Sequence, residues 1–195
     1  MITNVSTSNG THGAFESSNL KSTDIGNIWD VLVRDGSNNA IDIDNGVPVA
    51  VGEYTGNGLQ ERYGTLAVLA TPNVAVTGNP PIDPKGNKIN DIFNYYTPAG
   101  KLAKCYEVVK GDIFAVRTSQ VSATVTYTEN SESVTRATGV GDYVVVNTTA
   151  AATGVSWTAV AKEDTVSASA KFIGKIHSYS TSGDMVRILV VQNAD

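Results

Sequence analysis

Apolar residues recur at alternate positions along most of the chain, in short runs separated by Gly, Asn, Asp and Pro. That period of two places successive side chains on opposite faces of a strand. The first clear run is Ile28 to Arg34. Asp35-Gly36-Ser37-Asn38-Asn39 then turns the chain, because Gly and Asn accept positive φ at little cost. A return strand is expected over Ala40 to Ile43, a turn at Asn45-Gly46, and a strand over Val47 to Val51. Pro48 cannot donate to a ladder, so its strand lies at an edge or begins there. Arg62 to Ala70 reads as the next strand, with Leu66, Val68 and Ala70 on one face.

The pattern breaks between residues 71 and 101, where Pro72, Pro80, Pro81, Pro84 and Pro98 fall. A single helix is predicted there, about Lys88 to Tyr95, with Ile89, Ile92, Phe93 and Tyr96 forming one apolar stripe. It is short, and it is expected to plug one end of a β core. Strands resume from Leu102. Gly111-Asp112, Gly141-Asp142 and Gly183-Asp184 each precede an apolar run, and each is read as a strand start. The glycine turns the chain and the Asp side chain can accept a nearby backbone N–H. Residues 118–138 read as an insert carrying a hairpin, Ala123 to Thr128 and Ser133 to Thr138, around Glu129 to Glu132. The last pair is Lys171 to Ile176 with Arg187 to Val191. Many short strands at this spacing predict an all-β protein: one β-barrel or sandwich domain over residues 28–195, with one short helix.

Residues 1–27 differ. They are rich in Ser, Thr, Asn and Gly, with no sustained period, and they read as an extended polar N-terminal arm. Such a segment buries too little to offset its ordering entropy alone. One reading is a frayed terminus; the other is an arm that orders on a partner, with Phe15, Leu20 and Ile25 as its isolated apolar anchors.

Composition sharpens the fold class. Val and Ile total 37 residues against 7 Leu, and Thr, Ser and Asn add 53. β-branched side chains lose rotamer freedom in helices and pack well on pleated surfaces, which argues against a bundle or a doubly wound α/β fold. Net charge is −5, with Lys and Arg scattered singly, so the basic stripe of a nucleic-acid groove is missing. No apolar run reaches the length of a membrane-spanning helix. Met1 to Ser6 lack the charged and apolar regions of a signal peptide, and Cys105 is the only cysteine. These features lead us to expect a soluble chain made in a reducing cytoplasm.

Catalytic patterns are sparse. The histidines are His12, in the arm, and His177, in a strand and expected at the surface. Cys105 reads as a buried thiol, and no nucleophile-elbow or phosphate-loop motif occurs. Asp42, Asp44 and Glu53 mimic three positions of a calcium loop, but Val47 stands where that loop needs glycine. No catalytic residue, cofactor or metal is therefore assigned. Asp42 and Asp44 remain the carboxylate pair that a glycan-cleaving enzyme would use. Trp29 is expected in the core, whereas Trp157, in a small-residue stretch, is expected to be more exposed.

The order of motifs carries more than any one of them. Asp30-Val31 leads to Asp44-Asn45-Gly46-Val47-Pro48-Val49; then come Pro98 to Tyr106, Lys110-Gly111-Asp112-Ile113-Phe114-Ala115-Val116 and Val140-Gly141-Asp142-Tyr143-Val144. Lys171-Phe172-Ile173-Gly174-Lys175-Ile176 and a Val/Ile-rich strand end the series. This succession, over residues 28–117 and 139–192, resembles the small β-rich head decoration (auxiliary or cement) proteins of tailed bacteriophages. The resemblance implies a non-enzymatic virion protein, made in the bacterial cytoplasm, that binds the capsid exterior and stabilises it. Its implied partners are the major capsid protein and further copies of itself, as a homo-oligomer such as a trimer or as neighbours on the shell. It implies neither nucleic acid nor membrane as a partner. The second reading is a virion or tail β module that binds a host glycan through Trp157 and exposed tyrosines.

Overall fold

The computed structural model describes residues 12–20, 28–57, 61–79, 95–149 and 151–194. The fold is all-β, and the only helical element among these residues is a 3-10 turn at Thr118–Gln120. Five strands close into a barrel: β2 (Ile28–Arg34), β5 (Glu61–Leu66), β4 (Pro48–Tyr54), β6 (Val74–Thr77) and β8 (Ala103–Glu107), in that order. β2 and β5 run parallel and the other neighbours antiparallel. Beside it lies a six-stranded antiparallel sheet, ordered β1 (Phe15–Asn19), β9 (Ile113–Arg117), β15 (Met185–Asn193), β14 (Phe172–Tyr179), β12 (Tyr143–Val146) and β13 (Trp157–Val160). Two short ribbons complete the set, β3 (Ile43–Asp44) with β7 (Tyr96–Thr97), and β10 (Thr124–Glu129) with β11 (Glu132–Ala137).

Each body has its own core. Val31, Val33, Val49, Ala75, Ala103 and Cys105 fill the barrel, where five strands leave little width. Gly64 is required there, because a Cβ would collide with Val31. The sheet packs a larger cluster around Phe114, Trp157 and Phe172, whose ring centroids lie 5.1 to 6.3 Å apart. β6 serves both: Ala75 faces the barrel while Val74 and Val76 join the sheet's cluster. Strand alternation thus makes one strand a shared wall, and all four of its residues are buried.

Two of the three Gly-Asp pairs build the same turn. Gly111 and Gly141 sit at φ 95° and 94°, where an L side chain is strained. The Gly111 and Gly141 N–H groups donate to the carbonyls of Val190 and Ile176 (2.9 Å each). Val190 and Ile176 donate back to the Asp112 and Asp142 carbonyls (2.8 Å each). The Asp side chains accept N–H bonds from Val109 (2.9 Å) and Gly139 (2.8 Å). The two turns launch β9 and β12 against β15 and β14, so they bracket the β14–β15 hairpin symmetrically. Gly183 instead sits in the turn of that hairpin, donating to Ser180 O (2.9 Å).

Several expectations need correction. Ala40 makes only an isolated bridge to Arg34, and Ile43 pairs with β7. The strand begun at Arg62 stops at Leu66, and Val68 is exposed. Pro48 opens β4, as expected of a residue that cannot donate to a ladder, and the strand lies inside the closed barrel between β5 and β6. Residues 88–94 of the expected helix lie outside the described residues, and Tyr96 belongs to β7. The arm is corrected most. Phe15 to Asn19 pair with β9 as the outer strand of the sheet. Phe15 is half-buried against Tyr106 and Phe114. Leu20 is buried in the sheet's own core. Leu20 is thus covered by its own sheet and Phe15 in part, while Ile25 lies outside the described residues.

Candidate functional site

The Asp44-Asn45-Gly46 turn is where the two bodies and the N-terminal segment meet. Gly46, at φ 81°, donates its N–H to Thr77 O (2.7 Å) and accepts the Trp157 Nε1–H (2.9 Å). Asn45 and Asn79 pair through their amides, with Asn79 N–H donating to Asn45 Oδ1 and Asn45 Nδ2 donating to Asn79 O (2.9 Å each). Thr77 Oγ1–H donates to Asp44 O (2.7 Å), and the same oxygen accepts from Val47 N–H (3.0 Å). Gln120, buried in the 3-10 turn, bridges all three parts. Its Oε1 accepts from Ala14 (3.2 Å) and Arg117 N–H (3.1 Å), and its Nε2 donates to Asn45 O (2.8 Å). A Cβ on Gly46 would press on Ala14 O and the Gln120 amide at 2.7 to 2.9 Å. Buried polar groups satisfied this completely specify one docking geometry.

Asp44, a candidate acid, is committed to this junction. It is buried, its Oδ1 lies 2.7 Å from His12 Nδ1, and its Oδ2 accepts Gly13 N–H (3.0 Å). The His12 ring stacks on Tyr96 at 4.8 Å. Asp42 accepts Ala99 N–H (2.7 Å), and Glu53 is exposed. Asp42 and Asp44 therefore tie down different segments and do not face a shared cleft. Among the described residues no group of three or more His, Cys, Asp or Glu is placed to hold a metal.

Trp157 is a correction: it is fully buried, so it offers no platform to a sugar. Trp29 is only half-buried, at the barrel mouth. His177 is exposed, as expected. Cys105 is buried in the barrel. Burial, and secondarily the Asp30 charge, push its thiol well above the ordinary range, which keeps it protonated and inert.

A second polar cluster fixes the β10–β11 hairpin to the sheet. Arg136 holds the buried Asp142 through two bonds (2.7 and 2.6 Å) and Glu163 through a third (2.7 Å). Asp142 also accepts N–H bonds from Gly139 (2.8 Å) and Lys162 (3.1 Å). Burial pushes this carboxyl up, but the Arg136 fork and the two amides outweigh it and hold it below the usual value. Burial, with the Asp142 charge, raises the Tyr179 phenol, which donates to Thr138 O (3.2 Å).

Two concave surfaces among the described residues bear on function. One is an apolar groove of about 350 Å³ at the foot of the hairpin, lined by Val121, Ala123, Val155, Tyr179 and Val186 among others. Val155 and Val140, on the adjacent turn, are 43% and 58% exposed, unusual for valine in an otherwise polar surface. The other is the barrel mouth, around Arg62. Nothing in the sequence singled out Gln120, Arg136 or Arg62; Gln120 bonds partners 106 and 75 positions away, while Arg136 and Arg62 take partners both near and far in the chain. No family model, curated protein or solved structure matches this chain significantly.

Proposed function

We propose that this chain is a structural, non-enzymatic virion protein that binds the outside of a tailed-phage capsid and stabilises it. The observation that carries the reading is the junction at Asp44-Asn45-Gly46. The carboxylate best suited to catalysis and the histidine nearest it are buried in or packed against a clamp between two β bodies. Such a body suits load-bearing attachment, and the motif order over residues 28–117 and 139–192 points the same way. The contact we assign to the major capsid protein is the groove at the hairpin foot, with the exposed Val155 in its lining. Many identical contacts made only with the assembled shell would stabilise it by mass action.

The test is co-sedimentation with undecorated mature capsids beside unexpanded procapsids. Saturable binding to mature shells, lost in Val155→Glu, is the expected result. Absence of binding to both shells would overturn the reading. Binding that survives Val155→Glu and Val140→Glu together would remove the groove from it.

A further inference from the structure

The barrel is filled at one end and open at the other. Alternation along its strands points Trp29, Val51, Arg62, Ala75 and Glu107 inward at the open end, where with Asn73 they line a chamber of about 360 Å³. That volume is at the low end for small-molecule sites, and barrel mouths are a favoured place for them.

Arg62 is held in a fixed pose there. Its guanidinium lies over the Trp29 ring at 4.3 Å and the Tyr54 ring at 4.1 Å. Nη1 donates to Gly52 O (3.0 Å). Nε is buried and has no hydrogen-bond partner, the one such side-chain atom among the described residues. A buried guanidinium N–H without an acceptor costs free energy that a bound acceptor would recover. The edge formed by Nε and Nη2 is the fork that matches a carboxylate in two parallel bonds. Glu107 lines the same chamber but makes no ion pair with Arg62. A ligand held in the chamber would therefore meet both charges. An ionised Glu107 only accepts, so a bare carboxylate would meet its repulsion, whereas one that also carries a donor would satisfy both ends.

We propose that the barrel mouth binds a small carboxylate that also bears hydrogen-bond donors, its carboxylate on the Nε–Nη2 edge of Arg62 and its hydroxyl or ammonium group on Glu107. Two sources share that chemistry, an acidic sugar and an amino acid. The site is independent of the groove assigned to the shell, so either can fail alone.

The experiment is an NMR titration of the whole chain with D-glucuronate, β-alanine, D-glucose and acetate, following the Arg62 Nε–H resonance. Saturable movement of that resonance is expected with D-glucuronate or β-alanine, and binding about tenfold weaker with D-glucose and acetate. Arg62→Lys, which keeps the charge and loses the fork, should weaken binding about tenfold or more. The preference of the parent chain separates the sources: tighter D-glucuronate points to a sugar acid and tighter β-alanine to an amino acid, and Glu107→Gln should weaken β-alanine more than D-glucuronate because only the ammonium loses an opposite charge. An Nε–H resonance unmoved by both acids at millimolar concentration overturns the proposal, as does binding unchanged in Arg62→Lys. Should that variant fail to fold, the resonance in the parent chain decides.

Discussion

The barrel and the six-stranded sheet solve the same problem with different side chains. The sheet buries large rings: Trp157, Phe114 and Phe172 pack as tilted pairs beneath it, and Ile176 and Ile188 are buried in the same cluster. The barrel buries Val, Ala and Cys, and its aromatic residue, Trp29, stays at the mouth. A closed ladder of five strands satisfies its backbone without an edge but leaves no width for a ring at its filled end. An open sheet has width to fill and gains from aromatic area. The sheet therefore contributes most of the apolar burial, and the barrel provides a rigid frame whose unfilled end keeps a charged chamber.

The largest test of this contrast is Trp157→Ala. It empties the sheet's core and orphans the Gly46 carbonyl, and it should cost about 3–5 kcal/mol by urea denaturation. Leu32→Ala, at a half-buried barrel position, should cost clearly less. A sharper comparison uses matched glycines. Gly64→Ala drives a methyl into Val31 in the barrel, and Gly174→Ala drives one into Ile188 in the sheet. Each should cost about 1–3 kcal/mol, with Gly64→Ala the worse of the two because Ala50 O closes its other side.

The polar anchor of the hairpin predicts a pH dependence. The folded carboxyl of Asp142 lies below its ordinary value of 3.8, so its contribution is complete above that value. It is lost as pH falls below 3.8 through the folded value, when protonation releases Arg136. Denaturant midpoints measured from pH 6 down to pH 2 should fall in that window, and Asp142→Asn should flatten the fall. Alkylation of Cys105 should be negligible in the native state and follow denaturant-induced opening of the barrel. Reaction at the rate of a free thiol in native buffer would show that the barrel breathes locally. The smallest effect is expected at the exposed hydroxyl pair of Thr126 and Thr135, 2.9 Å apart. Thr126→Ala should cost about 0.2–1 kcal/mol, read as a slight loss of melting temperature.

Much of the strand inventory was legible because alternation is local. The Ile28 to Arg34 run is a strand with the expected bounds, and the hairpin around Glu129 to Glu132 pairs every residue of its two strands. The Gly-Asp repeat marked two turns that share their hydrogen bonds, although its third copy is a different turn. What escaped was partnership. Phe15 and Leu20 looked like anchors for another molecule because no period surrounds them, yet β9 supplies the ladder that orders them. Trp157 reads as exposed among small residues, but its ring packs against Phe114 and Phe172 and its Nε1–H reaches Gly46 O, contacts that come from other parts of the chain.

The sequence alone determined the class of fold, since β-branched composition and a period of two act through each residue's own backbone. It also determined where glycine had to turn the chain, at Gly46, Gly111 and Gly141. Tertiary structure decided the rest: which strands close into a barrel, that Asp44 holds a clamp and not a catalytic cleft, and that Arg62 and Glu107 line one chamber. These depend on contacts between residues as far apart as Ala14 and Gln120, or Gly46 and Trp157. No local pattern encodes them, because their free energy exists only once both bodies are folded and docked.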